Sequence, residues 1–108
     1  MRADPVLFAR FRDASEGMIP HDVRAWALAV LGGLIGARGQ LEARDHLLRR
    51  AAAAHGGTKG SRIRRLLAEL KSPGPPTDPV SVLVCEALAA APGRRAPSSK
   101  RQLIRILR

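Results

Sequence analysis

Asp78 to Gly93, DPVSVLVCEALAAAPG, is the stretch that decides the fold. Asp78 followed by Pro79 is the signature of a helix N-cap with proline at the first helical position, and Pro92 with Gly93 stops the same helix. Between them Val80, Leu83, Val84, Ala87, Leu88 and Ala91 form one unbroken apolar stripe at helical spacing. Strand formers are scarce around it: Thr occurs only at 58 and 77, Tyr is absent, and Phe8, Phe11 and Trp26 are the only aromatic residues. The stripe therefore packs on other helices, and the chain is predicted to be all-α, with an aliphatic, alanine-rich core.

The neighbouring segments repeat the pattern. Asp4 and Pro5 open a short helix that presents Leu7, Phe8 and Phe11 and ends near Glu16 and Gly17. Pro20 starts a second, whose Val23, Trp26, Ala27, Val30, Leu31 and Leu34 read as the main core stripe. Gly36 and Gly39 bracket a turn, and a third helix runs from about Gln40 to Ala54 with Leu41, Leu47, Leu48 and Ala51 inward. Its Glu42, Asp45, Arg49 and Arg50 read as a solvated face with i,i+4 pairs. After a glycine-rich break, Ser61 caps a fourth helix with Ile63, Leu66, Leu67 and Leu70 inward. A proline-rich connector covers 72–76, and Pro97 and Ser98 open a last helix to Arg108 with Leu103, Ile104 and Leu107 inward and Ile106 off that stripe. The expectation is a compact bundle of five to six short helices, a single domain over 1–108, with 92–108 as a basic C-terminal segment that could be an appendage.

Charge is unevenly spread. Residues 59–108 hold eleven Lys/Arg against Glu69, Asp78 and Glu86, whereas residues 1–58 hold eight against six acids, so most of the net +10 sits on the second half. No acid follows Glu86, while Arg94, Arg95, Lys100, Arg101, Arg105 and Arg108 do. A field of that kind repels itself and points to a polyanion as partner. In the last helix Arg101, Arg105 and Arg108 recur on the face opposite Leu103, Ile104 and Leu107, where a merely solvated face would mix both signs.

Other classes of function fit less well. The longest apolar run, Trp26 to Ala37, is too short to span a bilayer and holds three glycines. The N-terminus, with Arg2, Asp4, Arg10, Arg12, Asp13 and Glu16, lacks the apolar core of a signal peptide. Cys85 is the only cysteine and suits a reducing, cytoplasmic setting. His21, His46 and His55 are scattered without metal-ligand spacing, the Glu42, Asp45, His46 and Arg49 group reads as surface ion pairs, and no cofactor or catalytic pattern is expected.

The run Arg50 to Leu70, RAAAAHGGTKGSRIRRLLAEL, resembles the helix-turn-helix of the Fis-type DNA-binding family. Ala53 stands at the helix crossing, Gly57 in the turn, and Ile63 and Leu66 on the inner side of the second helix. The resemblance covers about a fifth of the chain; Gly56 and Thr58 depart from the usual apolar residues. It implies Lys59, Ser61, Arg62 and Arg65 as the DNA-facing set, and a homodimer. The same run also reads as an ordinary helical hairpin with an arginine-covered face.

The aromatic residues lie in the nearly neutral N-terminal third at positions that read as core, which disfavours readers of single strands, since these stack bases on aromatic side chains. The expected function is that of a small basic protein, a transcriptional regulator or accessory factor, contacting duplex DNA without catalysis. Its contacts would be Lys59, Ser61, Arg62, Arg65, Arg94, Arg95, Lys100, Arg101, Arg105 and Arg108. Structured RNA, or an acidic protein docked by a helical adaptor's basic C-terminus, are the alternative partners.

Overall fold

In a computed structural model, which describes residues 4–108, six helices follow one another: α1 (Pro5–Ala14), α2 (His21–Gly33), α3 (Ala37–His55), α4 (Lys59–Lys71), α5 (Pro79–Ala90) and α6 (Lys100–Ile106). Arg2, counted above in the charged N-terminus, lies outside the described residues. The chain is all-α: no strand occurs among the described residues.

α5 is the central helix, as its stripe demands. It packs on α3, α2 and α4, and buries Val80, Leu83, Val84, Ala87 and Ala90. α6 lies on α4 and α3, and contributes Leu103 and Ile106 to the same core. α2 sits on the other side, against α5, α1 and α3, and touches neither α4 nor α6. The Cα radius of gyration is 13.0 Å, that of a packed chain of this length.

The caps are local and follow the sequence. Asp4 accepts from the Val6 amide at 2.9 Å with Pro5 behind it. Asp78 and Ser81 form a capping box, in which the Ser81 amide donates to Asp78 Oδ1 at 2.8 Å and the Asp78 amide donates to Ser81 Oγ at 3.1 Å. That amide bond, helped by the Arg65 guanidinium, holds the Asp78 carboxyl at about 2 against an ordinary 3.8. A carboxyl depressed in this way stabilises the fold fully above its unfolded value and loses that contribution as pH falls through the folded one. The Tm gap between the native chain and Asp78→Asn, followed by circular dichroism, is therefore expected to be constant above pH about 4 and to close towards pH about 2.

Several expectations are corrected. α2 is turned so that Arg24, Leu28 and Gly32 face inward, while Val23, Trp26, Val30 and Leu34 are exposed at 47%, 67%, 47% and 42%. At about 100° per residue, these two faces lie about 150° apart around the helix. What turns it is Arg24, which reaches Glu86 of α5 and donates from Nε to Ser15 Oγ (3.0 Å) and from Nη2 to the Arg12 carbonyl (2.6 Å). Secondly, α4 begins earlier: Thr58, not Ser61, is its N-cap, accepting from the Ser61 amide at 3.1 Å. Thirdly, Gly39 lies inside α3 instead of in a turn. Finally, the last helix is shorter, capped by Ser99 with Gln102, and Ile106 is buried where an off-stripe position was expected. Leu7, also expected inward, is 59% exposed.

Candidate nucleic-acid interface

Residues 98–108 turn the sequence's cationic stripe into a surface. The Ser99–Gln102 capping box fixes where α6 starts, and Leu103 and Ile106 seat it on the core. Lys100, Arg101, Ile104, Arg105 and Arg108 are then left lining one open groove. The far end is pinned by Arg49 of α3, whose Nε donates to the Ile106 carbonyl at 2.8 Å, satisfying one of the helix's unpaired terminal acceptors.

A second groove lies at the C-terminal end of α6. Arg49, Ala52, Ala53, Lys59, Arg62 and Leu107 line this depression, so the end of α6 meets the start of α4. Ala96, Pro97 and Ser98, ahead of α6, lie against Leu67, Leu70 and Lys71 at the other end of α4, which makes the two helices antiparallel. No acid lines either groove. The start of α4 and the end of α6, separated in sequence by a proline-rich connector, therefore border one depression, and the cationic face of α6 lines another.

The turn before α4 has the geometry that two glycines allow: Gly56 and Gly57 both take positive φ, 70° and 74°. Ile63 and Leu66 are buried. Ala53, however, is exposed and lines the second groove, so the small residue that a helix-turn-helix needs at its crossing stands outside it. The four residues named from that motif fare differently. Lys59 is exposed, and Arg62 is partly tied, its Nε donating to the Gly56 carbonyl at 3.2 Å. Ser61 is spent on the cap, its hydroxyl donating to the Thr58 carbonyl at 2.9 Å. Arg65 is turned to the other side, paired with Asp78 at 2.7 Å and Glu69 at 3.2 Å. Arg64, which sequence reasoning passed over, is exposed on the outer face of α4, four residues after exposed Gly60 and four before exposed Ala68. That spacing was its signal. Arg49 was read as a solvated charge because its role at α6 depends on a contact 57 residues away.

Arg94 and Arg95 stand apart from this surface. Arg94 Nε donates to Gln40 Oε1 at 3.0 Å, and Gln40 in turn donates to the Gly32 carbonyl, so Arg94 ties the α5–α6 connector to α3 and the end of α2. Arg95 is exposed, its carbonyl accepting from Arg44 at 3.3 Å. Neither residue lines the α4–α6 grooves, although the Arg44 anchor is only about 8 Å along α3 from Arg49, the nearest groove residue on that helix.

No family model, curated protein or solved structure matches this chain. The likeness of residues 50–70 to a Fis-type motif thus stands on those residues alone.

Of the α3 group read as surface ion pairs, Asp45 pairs with Arg44 at 2.8 Å and His46 with Asp13 at 3.2 Å, while Arg49 goes to α6. Burial pushes the His46 imidazole below its ordinary value. A cleft between α2 and α5 brings together Glu16, His21, Asp78 and Glu86, each carboxylate already engaged: Glu16 by Arg50, Asp78 by Arg65, Glu86 by Arg24 and His21. Among the described residues, no three His, Cys, Asp or Glu side chains are grouped to hold a metal.

Proposed function

We propose that this chain is a small, non-enzymatic protein that binds duplex DNA electrostatically through the joined surface of α6 and the start of α4. The observation that carries the reading is an acid-free double groove lined by Lys100, Arg101, Arg105, Arg108, Arg49, Lys59 and Arg62. Arginines suit bidentate phosphate contacts, and such contacts place a protein on a duplex without reading bases. Lys59, Arg62 and Arg64 would reach towards base edges and the α6 arginines would clamp the backbone. Exposed Trp26 supplies no stacking platform there, because α2 touches neither α4 nor α6. That supports a duplex over a single strand. A transcriptional regulator or accessory factor of the cytoplasm, acting as a homodimer that doubles the surface, fits this chemistry.

The test is fluorescence anisotropy on labelled duplex DNA, single-stranded DNA and structured RNA across a salt series. Affinity for the duplex is expected to fall steeply with salt, with a log–log slope near −0.9 per phosphate neutralised. Arg101→Glu with Arg105→Glu should lower that slope by about 2 and weaken binding uniformly across sequences. Arg65→Ala should leave the slope unchanged. Duplex affinity that is absent or indifferent to salt would sink the proposal. Ile104 and Leu107 give the grooves an apolar floor, which equally suits an acidic amphipathic protein segment. Failure on nucleic acids, with the same double variant losing an acidic protein partner, would favour that second reading.

A further inference from the structure

We infer that the depression between the start of α4 and the end of α6 is a seat for one phosphate monoester group, the chemistry of a phosphorylated strand end or of a free nucleotide. The inference rests on the duplex reading only for the first of those sources. With the seat filled, Lys59 and Arg62 hold phosphate, and Arg64 is left for base edges.

Arg49, Lys59 and Arg62 line the depression together with Ala52, Ala53 and Leu107, and no acid is among them. The ion pairs of the described residues engage Arg12, Arg24, Arg44, Arg50 and Arg65, so none of these three cations meets a carboxylate there. Two of the three are also fixed in place. Arg49 Nε donates to the Ile106 carbonyl at 2.8 Å, and Arg62 Nε to the Gly56 carbonyl at 3.2 Å. Each bond uses Nε alone, and the two terminal nitrogens of each guanidinium have no acceptor among the described residues. A guanidinium anchored in this way has already lost much of the rotamer freedom that binding would cost. Lys100, Arg101, Arg105 and Arg108 line their own groove without such ties, which suits a backbone in any register.

Three cations from two helices call for more than a single negative charge. A phosphate monoester carries about −1.5 to −2 near neutral pH and presents three free oxygens, one for each cation. A diester within a strand has one charge and two free oxygens, and would leave a cation unanswered. The depression measures about 350 Å³, at the small end of ligand pockets, and its alanines and Leu107 give the ester carbon an apolar wall. It also lies at the end of the cationic helix. α6 rises about 10 Å from Lys100 to Ile106, so a strand clamped along it can put its terminal phosphate in the seat.

The test is a titration of the full chain, followed by amide and arginine Nε resonances in nitrogen-15 NMR, with methyl phosphate and with dimethyl phosphate at constant ionic strength. Methyl phosphate should bind saturably, with Kd on the order of millimolar, and move the signals of Arg49, Lys59 and Arg62. Dimethyl phosphate, with less charge and one acceptor fewer, should bind about tenfold more weakly. Arg62→Gln and Lys59→Ala should each weaken methyl phosphate by about tenfold and leave signals far from the seat in place. Arg38→Gln, an exposed cation at the start of α3, should leave the affinity unchanged. Equal binding of the two esters overturns the inference. So does a response spread over α6 that ignores Arg62→Gln and Lys59→Ala. Duplexes ending in phosphate and in hydroxyl separate the sources: tighter binding of the phosphorylated duplex assigns the seat to strand ends, and equal binding assigns it to the free ester. A chain that seats methyl phosphate but binds no duplex strikes the duplex reading and supports the seat.

Discussion

Replacing Glu86 by alanine is expected to lower the free energy of unfolding by about 3–5 kcal/mol. Glu86 and Arg24 are both almost fully buried, and the guanidinium has no water to fall back on. Its Nε and Nη2 remain bonded to Ser15 and the Arg12 carbonyl, but those are neutral acceptors and do not offset a buried charge. A domain of this size has about 5–15 kcal/mol in all, so the variant sits near the edge of folding. Urea unfolding at neutral pH checks the figure, and a loss under about 1 kcal/mol would contradict the role given to the pair. The double change Arg24→Met with Glu86→Leu removes both charges and is expected to recover most of the stability, since apolar replacement of a whole buried pair is often neutral. Because the pair fixes the rotation of α2, the double variant should also show Trp26 emission shifted from that of the native chain.

Gly32→Ala and Gly33→Ala should move stability in opposite directions, although the residues are neighbours in one helix. A Cβ on Gly32 would stand 2.5 Å from the Ala90 carbonyl oxygen and 3.2 Å from its carbon, both backbone atoms of α5. Alanine in a helix gains about 1 kcal/mol over glycine, but forcing two packed helices apart costs about 1–3 kcal/mol. With backbone on both sides of the clash its upper range applies, and Gly32→Ala is expected to be destabilising by up to about 2 kcal/mol. A Cβ on Gly33 meets nothing within 4 Å, so the helix gain stands and Tm should rise or hold. Thermal melts of the two variants side by side decide the point. Equal shifts would mean that α2 and α5 do not approach as closely as Gly32 implies.

The basic surface was partly legible before any coordinates. Lys100, Arg101, Arg105 and Arg108 are on one face because they recur at helical spacing, and the rule needs no partner. For α4 the same rule was not enough. Which of Arg62, Arg64 and Arg65 is available depends on acids brought from elsewhere: Asp78, thirteen residues on, takes Arg65, and no acid among the described residues pairs with Arg64. Arg94 was expected among the DNA contacts, but its guanidinium is tied to Gln40, 54 residues earlier, while the residue itself stays exposed.

By itself the sequence determined an all-α chain of five to six helical segments, the caps at Asp4 and Asp78, the inward stripe of α5, the glycine turn at 56–57 and the cationic face of α6. Each rests on interactions within about four residues, which periodicity and capping chemistry encode directly. Tertiary structure alone decided the rotation of α2. Its sequence carries two apolar faces, and periodicity favours the one with Trp26, the larger. The choice went the other way because a buried cation must have its anion: Glu86 lies 62 residues from Arg24, and satisfying that pair outweighed burying the wider stripe. Tertiary structure likewise decided that the start of α4 and the end of α6 share a surface, since only the packing of Leu103, Ile106 and Leu107 against α3 and α4 brings them together.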